Sequence, residues 1–396
     1  MKKLLAAFLS LLLLLSVSAC GSKEEKTDDT KQTTDQEKNQ EKETETSYHD
    51  ELVKVGVEGG ELSGILTTPK QTKGNSMPVV LLVPGSGPVP KNGIANEFGQ
   101  LSIELAKNGI ASLRYDKRGS FDSNNIQIDE EKIRVNDYVQ DISTLIHYLK
   151  KDNQFTDVFL LGHSQGALFG ALAIKDTPVD GFISVAGAGR SIDIILKEQI
   201  KENELNTAEV VTESNNVLNK LKKGERVPEV SKLVEPLFKP SIQNYLIDWM
   251  SYDPTVAYKQ ISATPILIIQ GKNDIQIKEK DAKLLADVLD NNKPVLIDKM
   301  SHVMKDASTK EDREEHIKIY SNVKAPLNQE FVDSVIQFIN GHKRSEDEIK
   351  KIKREQAEQQ SQEKSAEEQQ SENKEPATDA VPEASVEPEA AGDTTE

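Results

Sequence analysis

The chain holds one cysteine in 396 residues, Cys20. A disulfide within the chain is therefore excluded, and so is a metal cluster built on several thiolates. Positive charge is also scarce, with 49 Lys and Arg against 66 Asp and Glu and a net charge of -17. This balance argues against a nucleic-acid surface, which needs a basic stripe to neutralise phosphates, and against polybasic attachment to anionic lipid. No H-E-x-x-H ligand pattern occurs, and no Gly-Lys-Ser/Thr follows the turn Gly85-Ser86-Gly87, which rules out a P-loop. Neither a catalytic metal nor any other cofactor is expected. Aromatic residues are missing between Gly21 and Ser47 and again after Phe338. Such polar stretches bury too little apolar surface to offset the entropy of ordering.

Against these absences stands an apolar run, Leu4 to Leu15, preceded by Lys2 and Lys3 and followed by small residues up to Cys20. It reads as a secretory signal peptide over 1–19, too short for a spanning helix with stop-transfer flanks. Val17-Ser18-Ala19-Cys20 resembles a bacterial lipobox, whose cysteine is lipidated and becomes the new N-terminus. The resemblance implies a lipid anchor at Cys20 on the outer face of the cytoplasmic membrane, with 20–50 as a disordered tether. Residues 343–396 read as an acidic low-complexity tail, in which no Lys or Arg follows Lys374. Its first part, around Ile349 and Ile352, has the pattern of a charged helix.

The folded core is expected over 51–342, about 290 residues, enough for one large α/β domain with an insertion. Leu52 to Val57 and Leu62 to Thr67 alternate around Glu58-Gly59-Gly60, the pattern of an antiparallel hairpin. Val79 to Val83 is a continuous apolar run, as in a strand buried on both faces, and Ile110 to Arg114 is the next strand. Helical spacing through Phe98, Leu101 and Leu105, and through Val135, Ile142, Leu145 and Leu149, places helices between the strands. Strands follow at Asp157 to Leu161, Gly181 to Ala186, Pro265 to Gln270 and Val295 to Ile297, and a helix through Phe331, Val335 and Ile339 closes the domain. The alternation means a mostly parallel sheet wrapped on both faces. Only 187–260 breaks the rhythm, and it reads as a helical lid over the strand ends.

One turn organises the chemistry. Asp157-Val158-Phe159-Leu160-Leu161 runs into Gly162-His163-Ser164-Gln165-Gly166 and leaves as a helix through Ala167 and Leu168. That is a G-x-S-x-G elbow in strand–turn–helix context, which holds a serine hydroxyl on a tight bend. A hydroxyl is a poor nucleophile until a base takes its proton, and the base needs a third group to orient it. In chains with this elbow the partners follow in the order acid, then histidine, at later strand ends. Asp274 stands directly after the strand that ends at Gln270, and His302 stands just past Val295 to Ile297. His49, His147, His163, His316 and His342 do not follow a later strand end in this way. The oxyanion donors are expected from the backbone of Gln165 and of Ser86, in the loop after the first parallel strand. Asp116 and Arg118 are read as shaping a turn.

Together these stretches resemble the α/β-hydrolase superfamily, and within it a bacterial carboxylesterase subgroup with a helical lid. The resemblance rests on Val83 to Pro88, Leu113 to Gly119, Gly162 to Gly166, Ala188 to Ile192, Tyr252 to Pro254, Gln270 to Gln276 and Met300 to Val303. It implies hydrolysis of short-chain acyl esters, a small-molecule substrate, through an acyl-enzyme with Ser164, His302 and Asp274. Many such hydrolases carry His-Gly before the oxyanion residue where this chain has Pro84-Gly85. Related enzymes include serine aminopeptidases, so a peptidase or amidase is the second reading. A non-catalytic surface-binding lipoprotein is the third.

Overall fold

A computed structural model describes residues 47–70, 76–290, 292–352 and 354. The expected signal peptide over 1–19, the lipidated Cys20, the tether up to 46 and the tail beyond 354 lie outside the described residues.

Strand β1 (Tyr48–Val57) pairs antiparallel with β2 (Gly60–Pro69), with Val57 opposite Gly60 across the turn. Val53 and Val55 of β1 point inward while Leu52 and Lys54 face out, the period-2 pattern of a half-buried strand. There follow β3 (Met77–Val83), α1 (Glu97–Lys107), β4 (Ala111–Tyr115), α2 (Val135–Lys150), β5 (Phe155–His163), α3 (Gln165–Asp176) and β6 (Gly181–Val185). A helical insertion holds α4 (Ile192–Glu202), α5 (Ala208–Leu221), a single turn at Glu235–Phe238, α6 (Gln243–Met250) and α7 (Pro254–Gln260). The sheet then resumes with β7 (Ile266–Gly271), α8 (Glu279–Asp287) and β8 (Val295–Ile297), followed by α9 (Arg313–Ser321) and α10 (Gln329–His342).

The eight strands lie in the order β1-β2-β4-β3-β5-β6-β7-β8. The β1–β2 and β2–β4 pairs are antiparallel and all the others parallel. The buried strands send alternate side chains into two cores. Val79, Leu81, Val158 and Leu160 join the side chains of α2, α3 and the insertion. Val80, Leu82, Phe159 and Leu161 join Phe98 and Leu101 of α1 and Phe331 and Val335 of α10. Helices thus cover both faces, which is why β3 and β5 read as unbroken apolar runs.

The insertion is joined to the domain by aromatic rings and by the Asp248 carboxylate, and one buried amide closes part of it. Tyr245 and Trp249 of α6 meet Tyr138 of α2 and Phe169 of α3, with ring centroids 5.9 and 6.1 Å apart. Gln243 Nε2 donates to Val227 O and Phe238 O, and its Oε1 accepts from Val227 N, which closes the 227–243 segment on itself. Asp248 Oδ2 accepts from Val135 N, satisfying one orphan donor at the start of α2.

Residues from 344 onward form a separate unit. Its described part is helical over 346–352, and Ser345 and Glu348 exchange the two bonds of a capping box. Among the described residues no helix is long and apolar enough to cross a membrane.

Candidate active site

Ser164 is the single residue between the end of β5 and the start of α3. Its backbone sits at φ 55°, ψ −118°, a sparsely populated region that costs about 1–3 kcal/mol for a residue with a Cβ. The bend is held by Ser164 N donating to Val185 O at 2.9 Å and Ala167 N donating to Ser164 O at 3.0 Å. Both flanking glycines are there for close approach. A Cβ on Gly162 would lie 2.4 Å from Gly166 O, and one on Gly166 would lie 2.5 Å from Val83 O. These are backbone atoms, so no side-chain rotation would relieve the clash.

Asp274 and His302, 28 residues apart, are brought together at the ends of β7 and β8. His302 Nδ1 donates to Asp274 Oδ2 at 2.8 Å. Both are buried, at 2% and 4% exposure. Asp274 Oδ2 also accepts from Gln270 Nε2, and its Oδ1 accepts from the backbone N–H groups of Gln276 and Ile277. Burial alone would raise the Asp274 carboxyl, but the facing His302 and the two amides overturn that and hold it below the usual range. Because Nδ1 carries the proton toward the carboxylate, Nε2 of neutral His302 is left with its lone pair free.

His163 ties the elbow to the histidine loop. Its Nε2 contacts His302 O at 2.8 Å, and the two rings lie 4.8 Å apart. A carbonyl only accepts, so His163 carries its proton on Nε2. Burial, with His302 adding to it, pushes His163 down to about 3, so the ring stays neutral. Among the described residues no hydrogen bond joins Ser164 Oγ to His302. The serine is brought to the histidine through its neighbour His163. Catalytic bonds of this kind are commonly long until substrate closes the site.

Gly85 lies against the elbow, since a Cβ there would stand 3.3 Å from Ser164 Cβ. Ser86 follows it and lines a 30 Å³ cavity with Glu97, His163, Gln276 and His302. Among the described residues neither Ser86 N–H nor Gln165 N–H has an acceptor. Gln165 opens α3, so the positive end of that helix is aimed at the same place. The two predicted donors therefore flank the serine with their hydrogens uncommitted.

Sequence reading assigned nothing to the group behind these donors. Lys117 is 6% exposed. Its Nζ donates to Gly85 O at 2.8 Å and to Gln165 Oε1 at 2.7 Å, and it stands 4.9 Å from the Tyr138 ring centroid. Gln165 Nε2 in turn donates to Tyr245 OH at 2.7 Å. A lysine between Asp116 and Arg118 carries no local sign of burial, and only the fold shows that it points inward. Its neighbours are committed to ion pairs, Asp116 with Lys91 and Arg118 with Asp141, each at 2.6 Å.

Glu97 is the second group the sequence did not single out. It lies 3% exposed beside Ser86 and His302. Its two oxygens accept from Ile94 N and Ala95 N, and burial raises its carboxyl. A larger cleft of 630 Å³ opens between α4 and the loop after β7, lined by Gln199, Glu202, Asp274, Lys278, Lys310 and Arg313 among others. Among the described residues no His, Cys, Asp and Glu cluster is arranged to hold a metal ion.

Three comparisons bear on this geometry. The family model described as "Serine aminopeptidase, S33" matches residues 74–305. Esterase EstD of Thermotoga maritima is 28% identical over 286 residues, 70% of this chain. The match spans 65% of that esterase's own length, less than two thirds of it. Among solved structures, the alpha/beta hydrolase GrgF from Penicillium sp. sh18 is 15% identical with a TM-score of 0.51, covering 74% of this chain and 99% of the other. At that identity the likeness concerns the fold, and with the strand order above it makes this an α/β-hydrolase fold with an N-terminal hairpin and a helical insertion. The family match runs from before β3 to past His302, more than half of the chain and all five predicted site residues of the core, so the chain belongs to the serine aminopeptidase S33 family within the α/β-hydrolase superfamily.

Proposed function

We propose that the chain is a serine hydrolase that cleaves short-chain carboxylic esters through an acyl-enzyme, tethered outside the bacterial cytoplasmic membrane by a lipidated Cys20. The observation that carries this reading is the buried His302–Asp274 bond of 2.8 Å, set beside a serine in a strained bend. On this account Ser164 Oγ attacks the ester carbonyl carbon while His302 Nε2 takes its proton. Asp274 holds the tautomer and stabilises the imidazolium. The tetrahedral oxyanion is received by Ser86 N–H and Gln165 N–H, donors worth about 3 kcal/mol each. Collapse breaks the ester C–O bond, and His302 returns the proton to the leaving alcohol. Water, deprotonated by the same histidine, then frees the acid.

Two carboxylates near the site are already committed, which favours esters over peptides there, although Glu204 also lines the larger cleft and is not one of them. An aminopeptidase needs a free carboxylate to grip the substrate's amine. Glu97, the carboxylate that lines the small cavity with Ser86 and His302, spends both oxygens on backbone amides. Glu198 is held by Arg190 and Lys280, at 2.6 Å in each case. The name of the Thermotoga relative supports the ester reading. A binding protein without chemistry would have no use for the Asp274–His302 pair at these strand ends. The helical insertion over 187–260 is read as a lid whose α6 reaches Gln165 through Tyr245.

The test is hydrolysis of a p-nitrophenyl ester series from acetate to decanoate. Turnover is expected to peak at short chains. Ester hydrolysis peaking at long chains would refute the short-chain assignment. Turnover of aminoacyl amides but not of esters would install the peptidase in its place.

A further inference from the structure

Gly85 C=O and Ser86 N–H belong to one peptide unit. In a trans peptide the two point in opposite directions, so whatever grips the carbonyl fixes the aim of the N–H. Lys117 Nζ grips it at 2.8 Å. Its second bond, 2.7 Å to Gln165 Oε1, reaches the residue that carries the other free N–H. One buried cation thus braces both halves of the oxyanion pocket from behind.

We propose that Lys117 is a positioning residue for the oxyanion hole, one that orients and polarises the Gly85–Ser86 peptide and fixes Gln165 beside it. The proposal rests on the serine-hydrolase reading above. An ammonium on the carbonyl draws electron density from the amide and makes Ser86 N–H a stronger donor, through the cooperative strengthening of linked hydrogen bonds.

The charge arrangement fits this role. Among the described residues no carboxylate forms an ion pair with Lys117. Asp116 is bonded to Lys91, and Asp141 of α2 is bonded to Arg118. The remaining groups facing the amine are Tyr138 of α2 and, through Gln165, Tyr245 of α6. Its acceptors are therefore neutral dipoles, and its charge is left to act on what develops in front of them. A lysine that served only to anchor its own turn would sit more cheaply in solvent or against one of those two carboxylates. Burial pushes the ammonium down to about 7, with Asp141 pulling the other way, so the cation is held at a cost below that pH and gives way to the neutral amine, still a donor to both acceptors, above it. Perturbed groups of this kind concentrate at functional sites.

The test compares Lys117→Met with the wild-type full chain in detergent, using p-nitrophenyl acetate and an aryl trifluoromethyl ketone. The ketone adds to Ser164 and places an oxyanion in the pocket, so its affinity reports on the two donors. Removing an oxyanion donor costs about 10²–10³ in kcat, and misaiming one costs less. The expected result is a kcat lowered about 10–100-fold with KM within about 2-fold, and ketone affinity lowered in proportion. Unchanged kcat and ketone affinity in a folded Lys117→Met would overturn the proposal. So would a fall in kcat with ketone affinity intact. If Lys117→Met fails to fold, Lys117→Gln takes its place, since it keeps a donor near Gly85 O without the charge. Having lost the charge and kept the orienting bond, it is expected to show a smaller joint fall, and wild-type values in it would overturn the polarising role. Ser164→Ala is measured in parallel. If it retains turnover, the serine-hydrolase reading fails first, whatever Lys117 does.

Discussion

His163 shows how one residue links stability to the site. It is neutral and buried in the fold, with its proton on Nε2 facing His302 O, and it is pushed from an ordinary 6.5 to about 3. Unfolding would free it to bind a proton at any pH between those values. Stability is therefore complete above about 6.5 and falls as pH drops toward 3. Asp274, held below the usual carboxylate range, acts in the same direction, its share being lost as pH falls through its lowered value. Urea midpoints measured from pH 7 to pH 4 should fall by less in His163→Gln, which keeps an N–H for His302 O but does not titrate. An identical fall in the two proteins would show that His163 is not the titrating group.

At the scale of elements, β5, the elbow and α3 work as one unit because two glycines let backbone meet backbone. A Cβ at Gly166 would stand 2.5 Å from Val83 O and 2.6 Å from Pro84 O, so α3 would have to move away from β3. Gly166→Ala should destabilise by about 1–3 kcal/mol, the usual cost of overpacking. Gly56→Ala on β1 has nothing within 4 Å and should stay within about 0.5 kcal/mol. Thermal unfolding of the two variants checks the contrast. Equal shifts in melting temperature would contradict it. This is also the scale at which the sequence was most legible. The unbroken apolar runs of β3 and β5, the G-x-S-x-G turn and the strand ends before Asp274 and His302 all follow from local pattern. What stayed hidden depends on distant pairing. Lys117 faces inward because Gly85 and Gln165, 32 and 48 residues away, supply its acceptors. Glu97 is buried by a loop that turns back onto its own carboxylate. The packing of the insertion depends on rings from α2, α3 and α6 meeting, which helical spacing alone does not indicate.

For the molecule as a whole, two apolar cores on either side of one sheet hold the strand ends in register, and every predicted site residue of the core stands at such an end. A rigid sheet with chemistry on its connecting loops is a general arrangement, and here it brings residues from positions 86 to 302 to one place. The central claim is that Ser164 is a nucleophile activated by His302 and Asp274. It is tested most directly by treating the folded protein with a fluorophosphonate, which reacts only with an activated serine, and locating the adduct by peptide mass spectrometry. The account predicts one label per chain, on the peptide carrying Ser164, with labelling slowed by at least about 10²-fold in His302→Ala and in Asp274→Asn. No label, a label on another serine, or wild-type labelling rates in those two variants would contradict it.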